Sequence, residues 1–350
     1  MNINLFNNRA YIINTPSFKS SSEKFLRVVL DKLGASIDIK NLDFFDTCLN
    51  YDTYSITSSD NKFYLLKISF DINDKYLKRE ANILKKLKGY ASGKFITLKK
   101  IQITEEIVCS LIQFPNSLSL KNLGRTFIIQ NSDALFKTHQ YLCDDLQVNR
   151  GKTSYLKELF DECNFTAYFD TETKANIDKN SDYKCFEKIY KDLAKDLEKH
   201  LPELSSYKPC LGNMSTNSIY LKENLIFFDK LDNFCNFHPF IDLCDLILEM
   251  GLTEAQKNLL IKSFIESYKD ASFADFNNFF AFAVRKKLLQ TISTYLREIY
   301  FLKFLRAEHI TECISQFHNN LNYFKKIPIF IDNKDFILKS LTEPILGAKK

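Results

Sequence analysis

The chain has 350 residues, 45% of them hydrophobic, which is enough apolar content for a large buried core in one big domain or two lobes and excludes wholesale disorder. Its 48 basic and 43 acidic residues give a formal net charge of +5 spread along the sequence, without the basic block of a nucleic-acid-binding arm, so no nucleic-acid partner is expected. Nine dispersed cysteines, with no C-x-x-C pair and no clustered histidines, point away from a zinc site and towards reduced thiols in the cytoplasm.

In chain order, Ser20, Ser21 and Ser22 precede Glu23, and Phe25, Leu26, Val29, Leu30 and Leu33 then recur at helical spacing until Gly34. This predicts a capped amphipathic helix that packs on whatever follows. The runs YDTYSIT and FYLLKISF, separated by SSDN, predict an antiparallel hairpin. Asn73 to Leu87 returns to helical spacing, and strand-like runs follow at Phe95 to Ile103 and Ile107 to Phe114. Helix, hairpin, helix and two strands make a small α+β lobe.

After Asn116 the pattern is helical, at Asp133 to Leu142, Tyr155 to Cys163 and Tyr183 to His200. An irregular stretch from Cys210 to Leu246 holds the strand-like pieces SIYL and LIFF. Then come Thr253 to Tyr268, opened by a capping box of Thr253 and Gln256, a long aromatic-rich helix from about Phe276 to Leu305, and Glu308 to Tyr323. Met1 to Ser17 lacks the charged start and continuous apolar core of a signal peptide, and no run approaches the roughly 20 apolar residues of a membrane span.

Two groups of residues could carry chemistry. Lys67 sits in the middle of YLLKISF, a strand suited to burial, and Glu80 stands thirteen positions on, on the same helical strip as Ile83, Leu84 and Leu87. In kinases a strand lysine binds nucleotide phosphates and is held by a helix glutamate. On the pair alone, a surface lysine beside an edge strand and a solvated glutamate fit equally well. The second group is Leu211 to Tyr220, then Asn224 to Asp229, then His238 to Leu243.

Together these segments resemble the aminoglycoside phosphotransferase and choline kinase superfamily, whose signature runs H-G-D-x-x-x-x-N-I-L, a short strand, I-D, then D-P-x-x-D-L. Gly212, Ile219, Asp229, Pro239, Asp242 and Leu243 fall where that signature places them. Leu49 to Tyr54, including Asn50, resembles the S-N-x-x-Y run of the first hairpin. Leu111 to Pro115, with Gln113 and Phe114, is similar to the hinge that lines the adenine pocket, and Leu135 to His139 to the L-x-x-L-H helix after it. The resemblance covers roughly Ile37 to Leu246, in order.

The resemblance implies an α+β, bilobal protein-kinase-like fold: a small N-terminal lobe of antiparallel sheet plus helix over 1–115, and a larger, mainly helical C-terminal lobe over 116–350 with the catalytic-loop-like segment 210–246. It implies ATP and Mg²⁺ as cofactors and a small molecule bearing a hydroxyl as substrate. Lys67 would hold phosphates and Glu80 would orient it, with Asn50, Gln113 and Phe114 at the nucleotide. Asp229 would hold the metal, and Asn213 would meet the acceptor hydroxyl.

Departures from the signature matter equally. Asn213 replaces the catalytic aspartate, and its neutral amide cannot take a proton from an attacking hydroxyl. Ser218 replaces the metal-binding asparagine, with Asn217 beside it as a substitute ligand, Leu211 replaces the histidine, and Asp46 to Leu49 has no glycine for a phosphate cradle. An alternative is therefore a catalytically impaired pseudokinase, a nucleotide-binding or protein-interaction module. Read without the resemblance, Gly212 and Asn213 make a turn, Asp229 caps a strand and Asp242 caps a helix. His139, His200, His309 and His318 read as core or surface residues without paired acids, His238 as a loop residue, and the Phe276, Phe279, Phe280 and Phe282 stripe as helix packing.

Overall fold

A computed structural model describes residues 26–47, 51–69, 75–86, 97–102, 108–114, 118–145, 152–163, 181–203, 208–222, 225–228, 231–268, 272–300 and 307–342. The chain divides into two compact units, one of residues 14–149 with 211–235, the other of 1–13, 150–210 and 236–350. These units run across the lobe boundary expected at Pro115.

The first unit is built on a five-stranded antiparallel sheet of β1 (Ile39–Thr47), β2 (Asp52–Ser58), β3 (Phe63–Ser69), β4 (Thr97–Gln102) and β5 (Val108–Phe114), in the order β1-β2-β3-β5-β4. The expected hairpin is β2 and β3, and its turn places Asn61 at φ 58, a conformation asparagine tolerates better than most residues. Helix α1 (26–32) ends as its glycine predicts: with Gly34 at φ 63, the Ala35 amide donates to Leu30 O and the Gly34 amide to Asp31 O. Its buried Leu26, Val29, Leu30 and Leu33 form one core with Tyr54, Ile56, Leu66, Ile68, Cys109 and Leu111, alternate residues of the three central strands. Period-two alternation sends Thr53, Lys67 and Ser110 to the opposite face, where they stand side by side across β2, β3 and β5.

Helix α2 (Lys75–Lys86) buries Tyr76, Leu77, Glu80 and Ile83, a single stripe at three-and-four spacing with the one acidic residue inside it. Beyond the sheet, β6 (Leu118–Ser119) leads into α3 (Leu120–Gln130), which Gly124 interrupts with φ 78 and ψ 167, and then α4 (Ser132–Asp145). The expected ribbon is β7 (Ile219–Lys222) and β8 (Leu225–Phe228), antiparallel from Ile219 opposite Phe228. Strand β6 pairs with β7, and residues 118–145 and 211–235 fall in the same compact unit as the five-stranded sheet.

The second unit is helical: α5 (Lys152–Cys163), α6 (Ser181–Lys199), α7 (Phe240–Met250), α8 (Glu254–Ser267), α9 (Phe273–Tyr300), α10 (Ala307–Phe324), α11 (Pro328–Asp332) and α12 (Lys334–Thr342). The long α9 packs against α6, α7 and α10. Its Phe276, Phe279 and Phe282 are buried, so the aromatic stripe is core packing. Every residue from Phe240 to Leu248 is buried, which makes α7 the innermost helix, and Gly251 closes it at φ 59. The expected capping box opens α8: the Gln256 amide donates to Thr253 Oγ1 at 3.3 Å and the Thr253 amide to Gln256 Oε1 at 3.1 Å. Among the described residues no helix is long and apolar enough to cross a membrane.

Candidate active site

Lys67 and Glu80 meet. Lys67 Nζ donates to Glu80 Oε1 at 2.7 Å, and each side chain is only 1% exposed. The sheet supplies one partner by directing Lys67 away from the α1 core, and α2 supplies the other because Glu80 shares a stripe with Tyr76, Leu77 and Ile83. Two charges removed from water in this way stand only because they are paired; a charged lysine left alone there costs several kcal/mol. The surface reading of this pair is thereby set aside. Tyr51, 2% exposed, brings its ring centroid to 5.5 Å from Lys67 Nζ and forms a small cluster with Tyr76 and Leu77 of α2. Across the strands, the Ser110 hydroxyl opposite Lys67 is buried with no hydrogen-bond partner among the described residues.

The segment that resembles a catalytic loop begins with a turn only glycine can make. Gly212 has φ +81, and a Cβ built on it would lie 2.5 Å from the Asn233 carbonyl oxygen, a backbone atom that cannot swing aside. The short helical turn Leu231–Asn233 that provides this carbonyl also packs against α2, so the helix bearing Glu80 and the loop bearing Asn213 are braced by the same three residues. Leu211 and Met214 are buried on either side, while Asn213 is exposed. Its amide can orient a hydroxyl by donating or accepting a hydrogen bond, but it cannot act as a base.

Ser218 closes the turn Thr216–Ser218 just before β7 and is buried. Its hydroxyl donates to the Ser215 carbonyl at 2.8 Å and accepts from the Ser215 amide at 3.2 Å, so it serves the turn. The backbone of Asn217 lies in the same turn, and its side chain is outside the described residues. Gln113 and Phe114 end β5 opposite Tyr64 and Phe63, again with side chains outside the described residues. Asp229 and Asn50 both lie outside the described residues. Among the described residues no group of three histidines, cysteines or carboxylates could hold a metal.

The other histidines mostly fit their bland reading. His139 is buried, with its ring edge-on to Phe228 at 5.9 Å and its nitrogens 3.9 and 4.0 Å from Cys143 Sγ. His200 departs from it: Arg285 donates to His200 Nε2 at 3.0 Å and to Asp196 Oδ2 at 2.7 Å, so this histidine does have an acid neighbour, reached through helix spacing to Asp196 and a long-range contact from α9. His238 is packed by ring stacking on Phe279 at 4.5 Å and Phe240 at 5.1 Å, and its Nδ1 accepts from the Phe240 amide. Burial first, then Lys208, pushes its pKa down to about 4 against the opposing pull of Asp275 and Asp242.

A second buried ion pair, Lys286 with Asp245 at 2.7 Å, joins α9 to α7 inside the helical unit. Burial pushes the Asp245 carboxyl up to about 6, against the pull of Lys286. Burial works to lower Lys286, but Asp245 and Tyr155 outweigh it and raise the lysine. Sequence reasoning passed over this pair, since 41 residues separate its members; the one signal was an aspartate set in the apolar run FIDLCDLILEM.

Against solved structures, the chain is similar to choline kinase LicA from Streptococcus pneumoniae, with 14% identity and a TM-score of 0.57 over 86% of this chain and 100% of that one. It is similar to the amicoumacin kinase hAmiN, at 15% identity and a TM-score of 0.54 over 87% and 94% of the two chains. An ethanolamine kinase of Plasmodium vivax follows, at 14% identity and a TM-score of 0.52 over 93% of each chain. No protein-family model matches the chain, and no curated protein matches it by sequence. The Lys67–Glu80 pair, the Gly212 turn and the order of strands and helices therefore sit in the bilobal protein-kinase-like fold that these solved choline, amicoumacin and ethanolamine kinases share.

Proposed function

We propose that the chain is a divergent ATP-dependent phosphotransferase acting on a hydroxyl group of a small molecule. The observation that carries this reading is the Lys67–Glu80 pair: a buried strand lysine fixed at 2.7 Å by a helix glutamate, on the sheet face opposite the α1 core. The relatives in fold support it, since the amicoumacin kinase structure holds AMP-PNP and Ca²⁺ and LicA has been seen with AMP. Lys67 fits a nucleotide phosphate, Glu80 fits the orienting role, and Asn213 would align the acceptor hydroxyl by hydrogen bonding. Mg²⁺, when bound with the nucleotide, supplies charge neutralisation on the phosphates, and Asp229 is the carboxylate assigned to it. Loss of the aspartate base at Asn213 slows phosphoryl transfer by about 10²–10⁴-fold without abolishing it, because positioning and electrostatics carry most of the catalysis.

The Ser218 hydroxyl favours a second reading. Committed to Ser215 through three hydrogen bonds, it is a weak candidate metal ligand, and together with the neutral Asn213 it fits a pseudokinase that binds nucleotide or a protein partner without turnover. Thermal unfolding with and without millimolar ATP and Mg²⁺ tests both. A Mg²⁺-dependent rise in Tm that disappears in Lys67→Ala and Asp229→Ala is expected, and at about 100 times Kd the stabilisation is roughly 2.7 kcal/mol. Turnover in a screen of small hydroxylated acceptors then supports the enzyme, and binding without turnover the pseudokinase. A Tm indifferent to every nucleotide would defeat both nucleotide readings.

A further inference from the structure

We propose that Tyr51 is an access-determining residue: its ring seals Lys67, and an anionic ligand reaches the lysine only when that ring has turned away. The loop that should cradle phosphates, Asp46 to Leu49, contains no glycine, and this tyrosine follows it two residues on. Lys67 is fully buried, with Glu80 at its ammonium and the Tyr51 ring 5.5 Å from it. A lysine that binds phosphate needs an open flank, and here an aromatic face occupies it. The ring is held by Tyr76 and Leu77, one turn before Glu80 on α2, so its packing also steadies the helix that supplies the lysine's partner. Backbone pairing fixes the next residue, Asp52, opposite both Thr47 and Ile68. Rotation of the Tyr51 side chain is therefore the motion that opens the site. A ligand that must wait for this rotation binds with an affinity reduced by the fraction of molecules in which the ring is displaced. The seal is independent of the phosphotransferase reading; its consequence for nucleotide affinity rests on that reading.

The test is amine acylation of the whole protein by a small water-soluble reagent, followed residue by residue by mass spectrometry. Lys137, whose side chain is 66% exposed, marks fast labelling, and Lys286, 1% exposed in its own ion pair, marks a lysine buried elsewhere. In the wild type Lys67 labels as slowly as Lys286. In Tyr51→Ala the Lys67 rate rises at least about ten-fold while Lys286 stays slow, and in Tyr51→Phe, which keeps the ring, Lys67 stays slow. Should Tyr51→Ala open Lys286 as well, Tyr51→Leu, which retains an apolar contact for Leu77, carries the same comparison. Equal Lys67 rates in the wild type and in the variant whose Lys286 stays closed overturn the seal, as does rapid labelling in Tyr51→Phe. ATP titration of the same proteins separates the two ideas. Tighter binding in Tyr51→Ala supports both; an opened Lys67 with no gain in ATP affinity leaves the seal standing and removes Lys67 from the nucleotide site.

Discussion

Lys67 is paired with Glu80 in a dry interior, and the cost of burying either charge dictates how the two residues respond to mutation. Lys67→Ala leaves a buried carboxylate without its cation and is expected to cost about 3–5 kcal/mol in urea unfolding, whereas Lys67→Met with Glu80→Leu removes both charges and costs less than either single change. A double mutant as unstable as the sum of the singles would contradict a direct pairing. Gly212 and Asn213 make a similar contrast one residue apart. An alanine at 212 meets the Asn233 carbonyl and takes a left-handed backbone, so Gly212→Ala should lose about 2 kcal/mol or more, while the exposed Asn213→Ala should stay within about 0.5 kcal/mol. Both residues were legible as part of one motif. Their different structural weight was not, because the close approach comes from Asn233, twenty-one positions downstream, and spacing within the loop carries no trace of it.

At the scale of elements, the helices of the second unit hold two titrating groups that pull stability in opposite directions over one pH range. His238, before α7, has its folded pKa lowered to about 4 by burial, below the ordinary value of 6.5. Between these values the unfolded chain binds the proton and the folded one does not, so stability rises with pH through this window and falls on acidification. Asp245 on α7 is the reverse case: raised to about 6 from 3.8, it keeps its proton in the folded state where the unfolded state has lost it, so its share of stability falls as pH rises from about 4 to 6. Each slope is separable by substitution. His238→Phe preserves ring stacking and is expected to flatten the rise towards pH 6.5, and Asp245→Asn to flatten the opposing fall, both read as ΔG of urea unfolding from pH 4 to 7. A wild-type slope unchanged by either substitution would mean that neither group titrates as its surroundings dictate. Helices α5, α6, α8, α9 and α10 were readable from their three-and-four spacing, whereas α7 fell largely in a stretch that read as irregular and α11 and α12 carried no expectation. The pairing of α7 with α9 through Asp245 and Lys286 was not, since an isolated charge in an amphipathic sequence reads equally well as solvated.

For the molecule as a whole, the decisive variants restore what the resemblance lacks. Asn213→Asp with Ser218→Asn is expected to raise phosphotransfer, with Asn213→Asp supplying most of the gain, about 10²-fold or more if a base is the missing element. Ser218→Asn by itself removes a hydroxyl that both donates to and accepts from Ser215, so it should loosen the turn before β7 and lower Tm. A single Ser218→Asn variant that melts at the wild-type temperature would show that this turn does not depend on the hydroxyl.

The sequence by itself determined the helix–hairpin–helix–two-strand order of the first lobe, the helix stop at Gly34, the hairpin around Asn61, the capping box at Thr253 and Gln256, and the resemblance that drew attention to Lys67, Glu80 and Gly212. These are local properties, set by periodicity, backbone preference and short motifs that act within a few residues. Only the tertiary structure decided that Lys67 and Glu80 touch and lie out of water, that Tyr51 stands over the lysine, that Ser218 is committed to its own turn, and that residues 118–145 and 211–235 cluster with the sheet. The physical reason is that burial and electrostatic pairing depend on what arrives from distant parts of the chain. A lysine, a tyrosine and a glutamate spread over 51–80 acquire their chemistry from the strand and helix that bring them together.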